Sequence, residues 1–198
     1  MDFEDIFDQR MFDAMAEKRP WYRENICQFD HDWNYFVELC DANEKVKNTN
    51  SYCLELSENH LNPRLERFAK RFMREMKKRF PKNGVSLIGF SSFRKETQNF
   101  KVHKDRMDVI IVQRLGTIEF SFFKTEDDIS APINIRPKDA EEMDIEWVKL
   151  VLKPGDMVYI PRGTFHYINP LESRLTYSFG FEGKLDVARY LQDKSKFD

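Results

Sequence analysis

Residues 100–123 run Phe100-Lys-Val-His103-Lys-Asp105-Arg-Met-Asp108-Val109-Ile-Ile-Val112-Gln113-Arg-Leu-Gly116-Thr-Ile118-Glu-Phe-Ser-Phe-Phe123. In an extended strand, residues two apart leave the same face. His103 and Asp105 therefore emerge side by side at the entrance to the apolar run Val109–Val112. An imidazole and a carboxylate, completed by one more imidazole, form a metal site that keeps open coordination positions. His166 is the candidate third ligand, 63 residues later, at the end of Leu152-Lys-Pro-Gly155-Asp156-Met-Val-Tyr-Ile-Pro161-Arg-Gly163-Thr-Phe-His166. There a Pro-Gly turn feeds a strand that closes in a Pro/Gly bend just before the histidine. The separation leaves room for several intervening strands, which a jelly roll needs to bring its second and seventh strands together.

Working outward, the texture from Val85 onward has period two. Strands are expected at Val85–Ser91, Lys101–Gln113, Thr117–Lys124, Glu146–Leu152, Asp156–Ile160, His166–Ile168 and Arg174–Phe181, with turns at Arg114–Gly116 and Lys153–Gly155. Residues 131–144, rich in proline and acid, read as an insert. The texture before Val85 is helical instead. Residues 3–18 read as an amphipathic helix that Arg19-Pro20-Trp21-Tyr22 stops. Residues 30–39 read as a second, and Ser51–Leu56 as a short strand. The clearest helix opens at Asn62-Pro63, a cap followed by proline at the first helical position. Its apolar stripe is Leu65, Phe68, Ala69, Phe72, Met73, Met76 and Phe80. Its opposite face, Arg64 to Arg79, is strongly basic. That face reads as the solvated side of a helix covering a β-core, or more sharply as a docking face for RNA or an acidic protein segment. His31 and His60 read as surface or capping histidines, since nothing near them supplies further ligands.

The expected architecture is mainly β with N-terminal helices. A helical region over 1–84 packs on a jelly-roll core over 85–183, and a tail or helix over 184–198 closes a single domain. The 198 residues are 41% hydrophobic, enough for a core, and 18 are phenylalanine. A formal net charge of −2 argues against a chain that binds nucleic acid over its whole surface. No apolar run approaches the ~18 residues of a membrane span. The acidic N-terminus lacks the basic and apolar regions of a signal peptide. Three unclustered cysteines, Cys27, Cys40 and Cys53, read as reduced thiols, so a cytoplasmic location is expected.

Three blocks in order give these features a relation. The first is His103-x-Asp105-x-x-Asp108-Val109-x-Ile111-x-Gln113-x-x-Gly116. The second runs from Pro154-Gly-Asp-Met to Tyr159-Ile-Pro161 and His166. The third is Leu171-Glu172 followed by Tyr177-Ser-Phe-Gly-Phe181. Together they resemble the JmjC-type 2-oxoglutarate oxygenases, and within them the cupin-4 branch that hydroxylates ribosomal proteins. The resemblance implies that His103, Asp105 and His166 hold Fe(II). It implies 2-oxoglutarate as co-substrate, oxidised to succinate as a substrate C–H bond is hydroxylated. It implies a macromolecular substrate, a protein side chain ahead of a nucleic acid. Two other readings stand beside it: a metal-dependent cupin that oxidises a small molecule without 2-oxoglutarate, and a non-catalytic jelly-roll interaction module.

The chain departs from the pattern at one place. Family members usually carry Arg or Lys two residues after the glycine that matches Gly116, to pair with the distal carboxylate of 2-oxoglutarate. Ile118 stands there and cannot make that bond. Candidate replacements are Arg174, whose strand face also carries Thr176 and Ser178, then Lys101, which shares the parity of His103, and Lys124. Ser91 and Ser92 resemble pocket-lining polar residues of the family, and Ser91 is taken as the co-substrate contact. The branch also carries a long C-terminal part for dimerisation. About fifteen residues follow Gly183 here, so neither dimer mode nor substrate is carried over.

Overall fold

The computed structural model describes residues 6–29, 33–34, 37, 53–57, 63–80, 84–92, 102–123, 134–135 and 147–181. The helix expected over 30–39 is described only at residues 33–34 and 37, which are helical, and the expectations for residues 41–50, 131–133, 136–144 and 184–198, and for His31, His60, Lys101 and Lys124, fall outside the described residues.

Helix α1, Gln9–Ala16, is capped by Asp8, which accepts a hydrogen bond from the Met11 amide at 2.9 Å. It buries Met11, Phe12, Ala14 and Met15. The helix ends at Ala16 with Glu17 as its cap, short of the expected residue 18 and before Arg19–Tyr22, and Lys18, with positive φ, turns the chain away. Arg19–Tyr22 lead into a strand rather than a loop: β1, Trp21–Arg23. Strand β2, Cys53–Ser57, and helix α2, Pro63–Arg79, complete the stretch before the core. That stretch thus contributes two strands to a sheet as well as helices.

Nine strands follow: β3 (Val85–Ser92), β4 (Val102–Lys104), β5 (Asp108–Leu115), β6 (Ile118–Phe123), β7 (Asn134–Ile135), β8 (Val148–Leu152), β9 (Met157–Ile160), β10 (Phe165–Pro170) and β11 (Arg174–Phe181). They form two antiparallel sheets. One has the order β1-β9-β5-β11-β3-β2, the other β7-β4-β10-β6-β8. The chain crosses between sheets from β3 to β4, β4 to β5, β5 to β6, β8 to β9, β9 to β10 and β10 to β11. This is the jelly roll expected from the period-two texture.

One expected strand is corrected. Lys101–Gln113 is not continuous: β4 lies in one sheet and β5 in the other, and Asp105–Met107 carry the chain across. No glycine or proline marks that corner. It is set instead by the Asp105 carbonyl, which accepts from the Gly163 amide at 2.9 Å.

The larger sheet is apolar on one face and mixed on the other. Ile110, Val112, Met157, Tyr159, Leu175, Tyr177, Phe179 and Phe181 meet the helices in the main core. Phe68 lies 6.5 Å from Tyr177 and Phe72 lies 4.4 Å from Phe179, ring centre to ring centre. Four residues advance a helix about 6 Å, and two advance a strand about 6.8 Å. Rings spaced four apart on α2 can therefore meet rings spaced two apart on β11. The opposite face of the sheet looks into the barrel. There Val109, Ile111, Val158 and Ile160 join Ile118, Phe120 and Leu152 of the facing sheet in a second apolar cluster. Period-two alternation along β11 thus sends its aromatics to the helices, while Arg174, Thr176, Ser178 and Gly180 line the cavity.

Candidate metal centre

β10 lies directly between β4 and β6, and its register sets His166 opposite His103 on one side and Phe122 on the other. The two imidazoles are a cross-strand pair with ring centres 4.4 Å apart. Asp105 lies one residue beyond the end of β4, at the corner between the sheets. Its Oδ1 is 3.9 Å from His103 Nε2 and its Oδ2 is 3.6 Å from His166 Nε2. One ligand atom from each of the three residues lies within 4.8 Å of the others.

The donors are set up to receive a cation. His166 Nδ1 is 3.1 Å from the Thr164 carbonyl, an acceptor only, so Nδ1 carries the hydrogen and Nε2 offers its lone pair. Burial, reinforced by the neighbouring His103, pulls the His166 imidazole down to about 4, so it is neutral at physiological pH. Two imidazoles and a carboxylate, with His166 buried and Asp105 one-third exposed, form a donor set closed on the barrel side and open toward solvent. That set fits a divalent first-row metal with vacant positions. Asp108, the first residue past the corner, braces the arrangement. Its Oδ1 accepts from the Arg162 amide at 2.8 Å, which fixes the loop that holds the Asp105 carbonyl.

Behind the three residues lies a cavity of about 310 Å³, in the range of small-molecule sites. Its walls are Ile88, Phe90, Met107, Val109, Ile111 and Ile168, with Ser86, Arg106, Arg174, Thr176 and Ser178 as polar positions. Arg174 is 3% exposed. Its Nε donates to Ser92 Oγ at 3.1 Å and its Nη1 to Thr176 Oγ1 at 2.9 Å. Thr176 passes its own hydrogen to Gln113 Oε1 at 2.7 Å.

Among the expected site residues, His103, Asp105, His166, Arg174 and Thr176 share this cavity. Ser91 does not. Ser86, Ile88 and Phe90 face the cavity, so Ser91 points to the other side of β3, opposite Leu175 of the main core. A one-residue step flips a strand residue to the far face, and Ser92 is the serine that meets Arg174. Ile118 is fully buried in the apolar cluster inside the barrel. Gln113 stands in the first motif block but was given no role in the site, although its parity with Val109 and Ile111 was the available signal. On α2, the cations Lys70, Arg74, Lys77 and Lys78 surround a shallow surface hollow.

Comparison with known proteins agrees with this architecture. The model of a family described as JmjC domain matches residues 65–186, more than half of the chain. No match was found among curated proteins. Among solved structures, the X-ray structure of Escherichia coli ycfD superposes with a TM-score of 0.61 at 19% identity, over 93% of this chain and 57% of that one. A structure of YcfD, a ribosomal oxygenase from E. coli, in complex with cobalt and 2-oxoglutarate gives 0.58 at 18% identity, over 93% and 56%. The complex with cobalt and succinic acid gives 0.54 at 17%, over 93% and 56%. This chain spans a little over half the length of those proteins, and at this identity the likeness is one of fold.

Proposed function

We propose, starting from the fact that this chain belongs to the JmjC domain family, that it is an Fe(II)- and 2-oxoglutarate-dependent oxygenase that hydroxylates a protein side chain. The observation that carries the reading is the cluster of His103, Asp105 and His166 at the head of a buried cavity. The cobalt, 2-oxoglutarate and succinate seen in the E. coli relative support it. Bound Fe(II) with 2-oxoglutarate supplies oxidative decarboxylation coupled to C–H hydroxylation.

The chain's own work is positioning. His103 and His166 present ring nitrogens from neighbouring strands, and Asp105 adds the negative charge that favours a divalent ion. The ladder between β4 and β10 fixes the two imidazoles, so little reorganisation accompanies metal binding. The apolar walls keep bulk water from the reacting end, and the exposed side at Asp105 admits the substrate. A protein substrate is favoured because the reacting centre opens at the barrel mouth and the relative is a ribosomal oxygenase. A cytoplasmic location follows from that substrate class. The basic outer face of α2 supports a second reading of partner choice, in which an acidic macromolecule such as RNA docks there. Binding that weakens steeply with salt and with Arg74→Glu would support that reading.

Anaerobic addition of Fe(II) and then 2-oxoglutarate tests the main reading. A visible charge-transfer band is expected only with both present, followed by O₂-dependent release of succinate. Metal binding without any 2-oxoglutarate binding would leave a cupin of another chemistry, and absence of metal binding would leave an interaction module.

A further inference from the structure

The cavity has two polar poles. At its mouth stand the three candidate metal ligands, and at the far end of β11 stands Arg174. Among the described residues, the charged side chains on its walls are His103, Asp105, Arg106, His166 and Arg174, and Arg106 is exposed at the mouth. Arg174 is therefore the described cation that is buried within the cavity. Arginine does not deprotonate in proteins, so this end of the cavity carries a fixed positive charge.

The guanidinium is held in place. Ser92 Oγ, from β3, takes Nε, and Thr176 Oγ1, one step along β11, takes Nη1. Thr176 is itself oriented by Gln113, whose carboxamide is locked at its other end, because Nε2 donates to the carbonyls of Leu115 at 2.7 Å and Gly116 at 2.9 Å. The β11–β5 register shifts between Leu175 and Thr176, which brings Gln113 opposite Thr176. Three strands thus converge on one guanidinium. The contact to Thr176 also turns the side chain back along β11, from the barrel's far end toward its mouth.

Ile118 begins β6 at this same end. The β5–β6 turn touches the base of Arg174: a Cβ built on Gly116 would lie 3.2 Å from Arg174 Cα. Ile118 offers only hydrocarbon to the interior, packed with Phe120 and Leu152. The positive charge at this level of the barrel comes from strand β11 of the facing sheet.

We infer that Arg174, positioned by Thr176, Gln113 and Ser92, anchors the distal carboxylate of a short 2-oxo dicarboxylic acid whose other end is held at the metal. The inference rests on the oxygenase reading, because it takes the cavity to hold 2-oxoglutarate. Arg174 is the binding residue, and Thr176 and Gln113 are positioning residues that act through it. A charge-assisted, geometrically matched pair discriminates against an uncharged isostere by about 10- to 100-fold.

The test is calorimetric titration of the full chain loaded with Mn(II), using 2-oxoglutarate and 2-oxopentanoate as probes. The two share the chelating end, and a methyl replaces the distal carboxylate in the second. The unaltered chain is expected to prefer 2-oxoglutarate by about 10- to 100-fold. Arg174→Met should bring the two acids within about twofold, with Mn(II) and 2-oxopentanoate affinities unchanged. Arg174→Lys should keep part of the preference, Thr176→Val should lose most of it, and Thr176→Ser should restore it. A full preference retained by Arg174→Met would overturn the inference and move the anchor to another cation such as Lys101 or Lys124, with the oxygenase reading intact. A preference lost equally in Thr176→Ser and Thr176→Val would remove Thr176 from the anchor. If the unaltered chain binds Mn(II) but neither acid, the oxygenase reading itself fails.

Discussion

Thr176 gives its hydroxyl hydrogen to Gln113 Oε1 at 2.7 Å, across the point where the pairing of β11 with β5 slips by one residue. Both residues are fully buried. The Gln113 amide nitrogen simultaneously closes the β5–β6 turn through the Leu115 and Gly116 carbonyls. One carboxamide therefore serves as acceptor on one side and donor on the other, a combination that neither a carboxylate nor a thioether offers. Gln113→Met is expected to destabilise the fold by about 2–4 kcal/mol, because it leaves buried polar groups unpaired at about 1–3 kcal/mol each. Gln113→Glu should cost more at neutral pH, since its second oxygen would face two carbonyl oxygens. The gap between the variants should narrow in acid as the glutamate gains a proton. Urea unfolding at pH 7 and pH 5 measures both, and a glutamate variant as stable as the parent would refute this account of the bond network.

Gly116 has φ +67°, a conformation that costs a side chain, and a Cβ there would lie 1.9 Å from the Ser173 carbonyl oxygen. The obstacle is backbone, so it cannot swing aside. Gly116→Ala should destabilise by about 3 kcal/mol or more. It should also disturb 2-oxoglutarate binding more than metal binding, because the strand it displaces begins with Arg174. Gly163 also has positive φ, +82°, but open space around its Cβ position. Gly163→Ala should therefore cost only the conformational term, about 1 kcal/mol. Paired denaturation curves of the two variants separate steric from conformational cost.

These two cases mark how much was legible in the sequence. The alternation along Arg174–Phe181 is local, and it correctly split the strand into an aromatic face and a polar one. The stripe on α2 was legible for the same reason, since Phe68, Phe72, Met76 and Phe80 recur at helical period. His103, Asp105 and His166, which the structure brings together, were picked out by residue type and spacing. What escaped depends on neighbours distant in the chain. The corner at Asp105–Met107 is fixed by Gly163, and the choice of Ser92 over Ser91 depends on pairing with β11. The role of Gln113 arises from the slip between β5 and β11. Strand β1 looked like a helix stop because its partner, β9, lies over 130 residues away.

Removal of the Asp105 carboxylate should separate metal binding from folding. Asp105 is one-third exposed, and its carboxylate lies close to imidazoles on both sides. Asp105→Ala is expected to leave the metal-free chain within about 1 kcal/mol of the parent. It should nonetheless abolish the rise in unfolding temperature that Mn(II) gives the parent, since a ligand that binds only the native state stabilises it in proportion to its occupancy. Calorimetric scans with and without Mn(II) decide the point. Collapse of the metal-free variant would mean that the corner at Asp105 serves chiefly to build the fold.

The last expectation concerns acid. His166 is buried beside His103, and burial first and that neighbour second pull its imidazole down to about 4, against the opposing pull of Asp105 and the Thr164 carbonyl. In the unfolded chain the same group titrates near 6.5. Between those values the unfolded chain holds a proton that the folded chain lacks, so stability of the metal-free protein falls as pH drops from about 6.5 toward 4. Above 6.5 both states are neutral at this position and the contribution is flat. Other groups titrate in the same window, so the informative quantity is a difference. His166→Leu, whose side chain carries no titrating group, should lose stability more gently than the parent over that range. Denaturant midpoints of both proteins at pH 7, 6, 5 and 4.5, in the presence of chelator, give that difference, and parallel curves would show that His166 is not held neutral by its burial.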